Sequence, residues 1–315
     1  MADAGSGERA RHMRSRPSLS GLELLAKELG GGEARVVRRL RGGMGAATHV
    51  LALADDRRVV LKRYPPGVEA AGLEWERLSY AHAAGLPAPA PVAVDAYGRW
   101  FGCPSLVMSF IEGGADLAPR QLDKYLEQVA DGIVQIHATP VAAASGALVR
   151  PHSMEAWTRP AVIPPGNLSR AVVSRVVDVL AAELPTVPRD DRVLIHGDLH
   201  PGNLVWRRGQ LQGIVDWSGA RIGSRWWELA YFRIELATLI NWAAATDLLC
   251  RYEELVGCRS EHQPIWDLLH IYDGHVWAHH WLRGFREQGR RDIDVPLMKR
   301  RLNQVAVAAL GLVGA

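Results

Sequence analysis

The segment HGDLHPGN at residues 196–203 directly follows a short apolar run, RVLI, that is typical of a buried strand. Its histidines, aspartate and asparagine are residue types that rarely contribute to a hydrophobic core. A second short apolar run, GIV, likewise ends in a carboxylate, Asp216. Two short strands therefore end in polar loops, and long segments with helical periodicity surround them. This arrangement predicts a fold that mixes helices and strands and presents polar groups where strands end.

The chain changes character near residue 110. Before that point, strand-like segments alternate with Gly-rich and Asp-Asp turns, and afterwards amphipathic helical segments dominate. We therefore predict an α+β fold with a β-rich N-terminal lobe over residues 21–110 and a mainly helical C-terminal lobe over residues 111–315. Residues 1–20 contain few large apolar side chains and are predicted to form a disordered tail. The helix that follows has Ser20 as its predicted N-cap.

Charge and composition limit the partners. The net charge is +3, and the first twenty residues supply +2 of it, so no basic surface for nucleic acid is predicted. No secretory signal is visible and no apolar stretch is long enough to span a bilayer. The three cysteines have no metal-binding or disulfide spacing. We expect a cytoplasmic protein that binds neither nucleic acid nor membrane, and the sequence leaves the oligomeric state open.

The spacing of residues 196–203, called the catalytic loop from here on, points to a specific chemistry. His196, Asp198 and Asn203 have the H-x-D-x-x-x-x-N spacing of a kinase catalytic loop. That chemistry needs a carboxylate near an acceptor hydroxyl and an amide oxygen on a metal ion. Asp216 adds a carboxylate of the kind that holds Mg²⁺. Each residue alone is more typical of a turn or a helix cap, but the set favours phosphoryl transfer.

Two N-terminal features fit the same chemistry. A Gly-rich segment at residues 41–50 lies between two predicted strands, where glycines let backbone N–H groups close over a phosphate, although such clusters are more often plain turns. Its candidate phosphate-binding glycines are Gly42, Gly43 and Gly45. Lys62 interrupts the apolar strand VVLKRY. It either contacts nucleotide phosphates and pairs with Glu74 or Glu76 of the next helix, or lies on a solvated face.

The order of these motifs resembles the aminoglycoside phosphotransferase family, a branch of the protein-kinase-like superfamily that includes antibiotic kinases and other small-molecule kinases. The resemblance covers roughly residues 35–235. It rests on the Gly-rich hairpin, VVLK, GLEWERL, GLPAPAPV, LVMSFIEGG, QIHATP, HGDLHPGN and IVDW. The family implies a two-lobed protein-kinase-like fold, with nucleotide bound by the N-terminal lobe and the catalytic loop and acceptor site in the helical lobe. ATP and Mg²⁺ are the implied cofactors, with GTP as an alternative nucleotide.

The resemblance also implies roles for the residues of the two polar loops. Asp198 would be the catalytic base or would orient the acceptor hydroxyl, and His196 would brace the loop. Asn203 and Asp216 would bind Mg²⁺.

In the N-terminal lobe, Lys62 would bind phosphate and pair with Glu74, which falls where the family places this partner. The backbone oxygen of Ser109 and the N–H of Ile111 would bind the purine edge. The predicted walls of the base site are Leu40, Val50, Val60 and Met108.

Two stretches depart from the family pattern. After the DW pair, Ser224 and Arg225 replace an Asp-Pro that many members carry, and Glu228 is the later acid. The usual bracing of the catalytic loop therefore does not carry over to this chain by sequence alone. Ala46 and Ala47 replace polar residues of the Gly-rich loop, so phosphate contacts there would come from the backbone.

The acceptor is expected to bind in the helical lobe. Seven of the eleven tryptophans follow residue 210, and HIYDGHVWAHHWLRGF places histidines and tryptophans in one short stretch. The favoured interpretation is core tryptophans with exposed histidines. The alternative is an acceptor pocket with Asp273 and aromatic walls that binds an amine or a quaternary ammonium.

Several acceptors fit a small-molecule kinase. The first expectation is an aminoglycoside or a related antibiotic, which would make the chain a resistance kinase. The alternatives are a metabolite kinase for a sugar, an amino alcohol or homoserine, and a macrolide kinase that uses GTP.

Two rival classes of protein fit the sequence less well. A non-catalytic nucleotide-binding regulator would not need Lys62, Asp198, Asn203 and Asp216 together. A protein kinase would carry an A-P-E element after Asp216, and none is recognisable.

Overall fold

The computed structural model describes residues 12, 15–40, 45–141, 146–148, 157–188 and 192–313. The chain divides into two compact units: unit 1 comprises Met1–Glu112 and Gly213–Ser218, and unit 2 comprises Gly113–Gln212 and Gly219–Ala315. An antiparallel sheet lies in the N-terminal region and helices dominate the C-terminal region, which confirms the predicted α+β fold. Within the described ranges, no helix combines the length and apolar character needed to cross a membrane.

Unit 1 is built on a five-stranded antiparallel sheet in the order β1-β2-β3-β5-β4. Its helix α1 begins directly after Ser18, whose side chain accepts a hydrogen bond from the N–H of Gly21. The predicted N-cap Ser20 was therefore wrong, because Ser20 lies in the first turn of α1. The elements are α1 (Leu19–Glu28), β1 (Ala34–Arg39), β2 (Ala47–Leu53), β3 (Arg58–Arg63), α2 (Ala70–Ala83), β4 (Pro91–Asp95) and β5 (Ser105–Ser109).

The two faces of this sheet carry different residues because side chains alternate along a strand. One face forms a core with α1, in which Leu51, Leu61 and Val107 pack with Leu22 and Leu25. The neighbouring positions on the same strands, including the one that holds Lys62, point to the opposite face. The strand that carries Lys62 is thus anchored by its apolar neighbours.

Most of the predicted tail lies outside the described residues. His12 and Ser15 are described, and both contact the last residue of β3. The ring nitrogen Nε2 of His12 is 3.0 Å from the carbonyl oxygen of Arg63, and the Arg63 guanidinium donates to the carbonyl oxygen of Ser15. This part of the tail is therefore held against the sheet of unit 1.

Unit 2 contains most of the described helices and strands that form two small two-stranded sheets. Strand β6 pairs with β9, and β7 pairs with β8, which starts in unit 2 and ends in unit 1. A 3-10 turn at Pro201–Asn203 follows β6, and another at Trp217–Gly219 follows β8. The elements are α3 (Leu122–His137), α4 (Arg170–Glu183), β6 (Arg192–Ile195), β7 (Leu204–Arg207), β8 (Gln210–Ile214), β9 (Arg221–Ser224), α5 (Arg225–Leu239), α6 (Trp242–Val256), α7 (Gln263–Glu287) and α8 (Val295–Leu312).

Helix α5 is the centre of unit 2. Nearly all of its residues are buried, and it packs on α6, on α7 and on β6. Helix α3 packs on α6 and α7 packs on α8, so apolar faces cover α5 on several sides. A helix that is buried all round can place polar side chains only where they find partners, and α5 places Glu228, Tyr231 and Glu235 toward the catalytic loop.

Candidate active site

Lys62 forms a buried ion-pair cluster in unit 1. Its Nζ donates to both carboxylate oxygens of Glu74, each at 2.7 Å, and to Oδ1 of Asp216 at 2.9 Å. The hydroxyl of Tyr64 donates a further hydrogen bond to Glu74. Glu76, the rival partner, is exposed on α2. The helix glutamate expected from the sequence is therefore the one that contacts Lys62.

The neighbouring carboxylates keep the side chain of Lys62 positively charged. Burial lowers the pKa of Lys62, but the carboxylates of Asp216 and Glu74 outweigh it and raise this pKa above its usual value. Lys62 therefore stays a cation at neutral pH.

Asp216 sits in a strained turn that fixes its carboxylate. Its φ is 67°, which is uncommon for a residue other than glycine. The hydroxyl of Ser218 donates to Oδ1 of Asp216 at 2.9 Å, and the buried Trp217 donates from Nε1 to the carbonyl oxygen of Ile214. Arg77 of α2 donates to the carbonyl oxygen of Ser218. These contacts tie the turn to β8 and to α2.

The predicted base-binding residues share the face of the sheet that carries Lys62. Val50 of β2 is opposite Val60 of β3, and Val60 is opposite Met108 of β5, so the three form one row across the strands. Leu40 extends β1 and donates its N–H to the carbonyl oxygen of Thr48. The predicted phosphate-binding residues Gly42 and Gly43 lie outside the described residues, and Gly45 is exposed in a bend just before β2.

The predicted hinge begins at Ser109, the last residue of β5, and continues to Ile111. The backbone N–H of Ser109 donates to the carbonyl oxygen of Ala90, and its hydroxyl accepts from the N–H of Ala90, both at 2.8 Å. Within the described part of the chain, the N–H of Ile111 donates no hydrogen bond. A purine edge would need that N–H as its donor.

In unit 2, the catalytic loop leaves β6 through a turn that requires glycine. Gly197 has a φ of 78°, and a Cβ there would lie 2.2 Å from both a guanidinium nitrogen of Arg221 and the carbonyl oxygen of Gly219. His196 is fully buried, and its Nδ1 accepts the N–H of Asp198 at 3.3 Å. The imidazole thus braces the backbone at Asp198.

Asn203 is tied to the same loop. Its Nδ2 donates to the carbonyl oxygen of Asp198 at 2.9 Å, which leaves the amide oxygen as the atom for a cation. In the described ranges, no group of three or more histidine, cysteine, aspartate or glutamate side chains can hold a metal ion. Within each unit by itself, the amide oxygen of Asn203 and the carboxylate of Asp216 are oxygen donors of the kind that Mg²⁺ binds together with substrate phosphates.

Glu228 braces the start of the catalytic loop in this chain, in which Ser224 and Arg225 replace the Asp-Pro of many family members. Its carboxylate accepts the N–H of His196 at 3.1 Å and the N–H of Gly197 at 2.6 Å. It is also 3.1 Å from Nε2 of His137 on α3. Burial alone would raise the pKa of Glu228, but the hydrogen bond and charge of His137, with the hydrogen bond from Gly197, lower it. The side chain is therefore an anion that clamps the start of the catalytic loop.

A second polar group surrounds Asp198. The hydroxyl of Tyr231 donates to Oδ1 of Asp198 at 2.9 Å, and Glu235, one turn along α5, is buried with its Oε2 3.4 Å from Nδ1 of His200. Tyr231 stacks on Trp227, and the His270 ring meets it edge-on with centroids 5.3 Å apart.

On α7, Oδ2 of Asp273 is 3.5 Å from Nδ1 of His270. Carboxylates and aromatic rings thus lie together near Asp198.

Residues 36–253 of this chain match a family described as the phosphotransferase enzyme family, abbreviated APH. The match covers well over half of the chain. The chain belongs to this family. The predicted family and the predicted enzyme class, a phosphotransferase, are thereby confirmed.

The relatives of this phosphotransferase act on different acceptors. A homoserine kinase of Methylocella silvestris is 26% identical over 211 residues, which are 63% of this chain and 64% of that protein, so the match spans less than two thirds of the relative. A choline kinase, LicA of Streptococcus pneumoniae, is 20% identical with a TM-score of 0.60, over 92% of this chain and 96% of that one.

A thermostable mutant of the aminoglycoside phosphotransferase APH(4)-Ia, in ternary complex with AMP-PNP and hygromycin B, is 20% identical with a TM-score of 0.58, over 90% and 99% of the two chains. The two structures share the fold of this phosphotransferase.

The structure brings the predicted residues together in two sets. Lys62, Glu74 and Asp216 meet within unit 1, and His196, Asp198 and Asn203 meet within unit 2.

Sequence reasoning about the acceptor region missed several contacts of this phosphotransferase. Tyr231 was not predicted, and Glu235 was named only as one of several scattered acidic residues of the helical lobe, most of which were expected on solvated helix faces. The favoured interpretation of α7 was wrong in part, because His270 is buried and Trp277 is 56% exposed.

Proposed function

We propose that this phosphotransferase moves the γ-phosphoryl group of ATP to a hydroxyl group of a small molecule with the help of Mg²⁺. The observation that carries the proposal is the buried Lys62, whose ammonium group contacts both Glu74 and Asp216. A lysine held between a helix glutamate and a carboxylate after a strand is the arrangement with which kinases bind nucleotide phosphates and position the metal ligand.

Each residue set supplies part of the chemistry. Lys62 binds nucleotide phosphate, and Asp216 and Asn203 would hold Mg²⁺, which neutralises phosphate charge when bound. Asp198 accepts a hydrogen bond from the acceptor hydroxyl and takes up its proton as the new oxygen–phosphorus bond forms and the bond to the leaving diphosphate breaks. Glu228 and His196 keep the loop backbone in place during this step. Catalysis thus depends on positioning and electrostatics.

ATP is the proposed nucleotide, with GTP as the alternative. The row of Val50, Val60 and Met108 offers an apolar surface for a purine base, and the N–H of Ile111 offers a donor to its edge. The related APH(4)-Ia structure contains AMP-PNP.

For the acceptor, we propose a small hydroxylated amine. Glu235 is buried and close to Asp198 and His200, and Asp273 lies beside the rings of His270 and Tyr231. Carboxylates and aromatic faces together attract an ammonium group. Homoserine, choline and hygromycin B, named with the relatives, all carry a hydroxyl group and a cationic nitrogen.

A metabolite kinase for an amino alcohol is the first candidate, since homoserine kinase and choline kinase are among the relatives. An aminoglycoside kinase that confers antibiotic resistance is the second, supported by the likeness to APH(4)-Ia.

The decisive test is Asp198→Asn in an assay of ATP and GTP consumption over homoserine, choline, amino sugars, aminoglycosides and macrolides. We expect the wild type to phosphorylate an amine-bearing acceptor and the variant to lose about 100-fold or more of kcat, because removal of a positioned proton acceptor costs about 10²–10⁴-fold. Asp247→Asn, an equal change at an exposed position of α6, should keep full activity. Transfer by Asp198→Asn at the wild-type rate would contradict the proposed mechanism.

A cytoplasmic location is proposed on the state of the thiols. Cys103, Cys250 and Cys258 are all free, and the last two are exposed. Exposed free thiols are typical of a reducing compartment.

A further inference from the structure

One face of α5 holds the catalytic loop at three points. Glu228, Tyr231 and Glu235 are three and then four residues apart, so they lie on the same side of the helix. Glu228 accepts the backbone N–H groups at the start of the loop, and Glu235 lies near His200 at its centre. Between them, Tyr231 reaches the side chain of Asp198 itself.

We propose, on the basis of the proposed function, that Tyr231 is a positioning residue for phosphoryl transfer. Its O–H donates to Oδ1 of Asp198 at 2.9 Å and fixes the rotation of that carboxylate, so that Oδ2 is the oxygen that meets the acceptor hydroxyl. A carboxylate on a short side chain otherwise turns easily about its last torsion. The hydrogen bond removes this freedom before the acceptor binds, which is how enzymes gain rate from orientation.

The phenol ring of Tyr231 is itself held in place. It stacks on Trp227 with an angle of 3° between the ring planes, and the His270 ring meets it edge-on. His270 is in turn anchored, because its Nε2 lies 3.0 Å from the carbonyl oxygen of Trp227. The donor therefore belongs to a packed cluster of aromatic rings.

The hydroxyl of Tyr231 also keeps its proton. Burial raises the pKa of Tyr231 well above its usual value, and the carboxylates of Asp198 and Glu235 raise it further. Tyr231 thus keeps its proton and remains a hydrogen-bond donor at neutral pH. The proton that leaves the acceptor goes to Asp198, and Tyr231 transfers none.

The test compares Tyr231→Phe with Tyr125→Phe. Each change removes one tyrosine hydroxyl, from the half-buried Tyr231 or from the buried Tyr125, and the Tyr125 hydroxyl has no hydrogen-bond partner within the described residues. We expect Tyr231→Phe to lower kcat about 10-fold to 100-fold, the loss typical of one hydrogen bond to a charged group, and to leave the KM for ATP unchanged. Tyr125→Phe should keep the wild-type kcat.

Crystal structures of the wild type and of Tyr231→Phe provide a readout that needs no turnover. We expect one carboxylate orientation of Asp198 in the wild type and more than one in the variant. A kcat within twofold of the wild type, a loss confined to the KM of the acceptor, or an unchanged single orientation of Asp198 would each overturn the inference. If no acceptor is turned over by the wild type, the proposed function fails, and the crystal structures alone decide the role of Tyr231.

Discussion

Glu235 shows how the active site sets the properties of a single residue. The side chain is 4% exposed, and its neighbours include the carboxylate of Asp198 and the imidazole of His200. Burial raises the pKa of Glu235, His200 partly opposes this, and Asp198 adds to it, so that the pKa is about 7. Near neutral pH the site therefore holds a carboxylate that ionises only at a cost in stability. A cationic acceptor would relieve that cost.

Glu235→Gln is expected to stabilise the protein at alkaline pH. Because the pKa is raised from 4.5 to about 7 on folding, the folded state binds more protons between these values, and stability falls as pH rises through this range. The variant lacks this loss, so at pH 8 its free energy of unfolding should exceed that of the wild type by up to about 3 kcal/mol, with no difference below pH 4.5. Urea denaturation over a pH series measures both.

The control for this prediction is Glu254→Gln, an exposed position on α6, which should leave the urea midpoint unchanged at every pH. Parallel pH curves for the wild type and Glu235→Gln would contradict the assignment of a raised pKa. Glu235→Gln should also raise the KM of an amine-bearing acceptor, since it removes a negative charge near the proposed acceptor position.

Single residues were predictable where spacing along the chain defines the chemistry. The positions of Asp198, Asn203 and Asp216 relative to two short strands pointed to their proposed use, and the family resemblance favoured Glu74 over Glu76. Tyr231 and Glu235 depend instead on which face of α5 meets the catalytic loop. Packing decides that face, because α5 is buried on nearly every side and its hydrophobic pattern does not mark a direction.

At the scale of elements, the pairing of β6 with β9 determines how the catalytic loop starts. Ile195 of β6 is opposite Arg221 of β9, and the Arg221 guanidinium donates to the carbonyl oxygen of Gly219 at 2.9 Å. Sequence reasoning did not predict β9, because a four-residue strand with a central glycine has no alternation to detect. Longer elements such as α3 were predictable from their periodic apolar residues.

Glu228→Gln tests the clamp between α5 and the catalytic loop. The substituted amide can accept only with its oxygen, and its NH2 group would face a backbone N–H, so one of the donors at His196 and Gly197 loses its partner. We expect a loss of stability of about 2 kcal/mol and faster amide hydrogen exchange at both residues. The difference in stability between the wild type and Glu228→Gln should shrink at acid pH. Folding lowers the pKa of Glu228, so its carboxylate stabilises the protein fully above the pKa of the unfolded state. This stabilisation is lost as the pH falls through the pKa of the folded state.

Glu183→Gln, an exposed position at the end of α4, is the matched control for the clamp. It should change neither stability nor exchange at His196. Unchanged exchange at His196 and Gly197 in Glu228→Gln would show that the clamp does not hold the loop.

At the scale of the whole molecule, the chain returns briefly to unit 1 between the two segments that form unit 2. The segment Gly213–Ser218 belongs to unit 1 and brings Asp216 to Lys62, which is 154 residues earlier in the sequence. The α+β fold followed from local patterns and the family resemblance. The sheet order in unit 1 and this return did not, because both depend on contacts between residues far apart in the chain.

If Lys62 and Asp216 bind nucleotide and Mg²⁺, these ligands should stabilise the folded protein. A ligand that binds only the folded state stabilises it by about 2.7 kcal/mol at one hundred times its Kd. We therefore expect ATP to raise Tm, and ATP with Mg²⁺ to raise it further.

The variant Asp216→Asn separates these two shifts in Tm. It should still fold, because Lys62 remains paired with Glu74 at 2.7 Å. It should keep the rise in Tm caused by ATP alone and lose the additional rise caused by Mg²⁺. Asp131→Asn, an exposed position on α3, should retain both shifts. Thermal unfolding with ATP in the presence of EDTA or Mg²⁺ measures each contribution, and an equal Mg²⁺-dependent shift in Asp216→Asn would rule out Asp216 as a metal ligand.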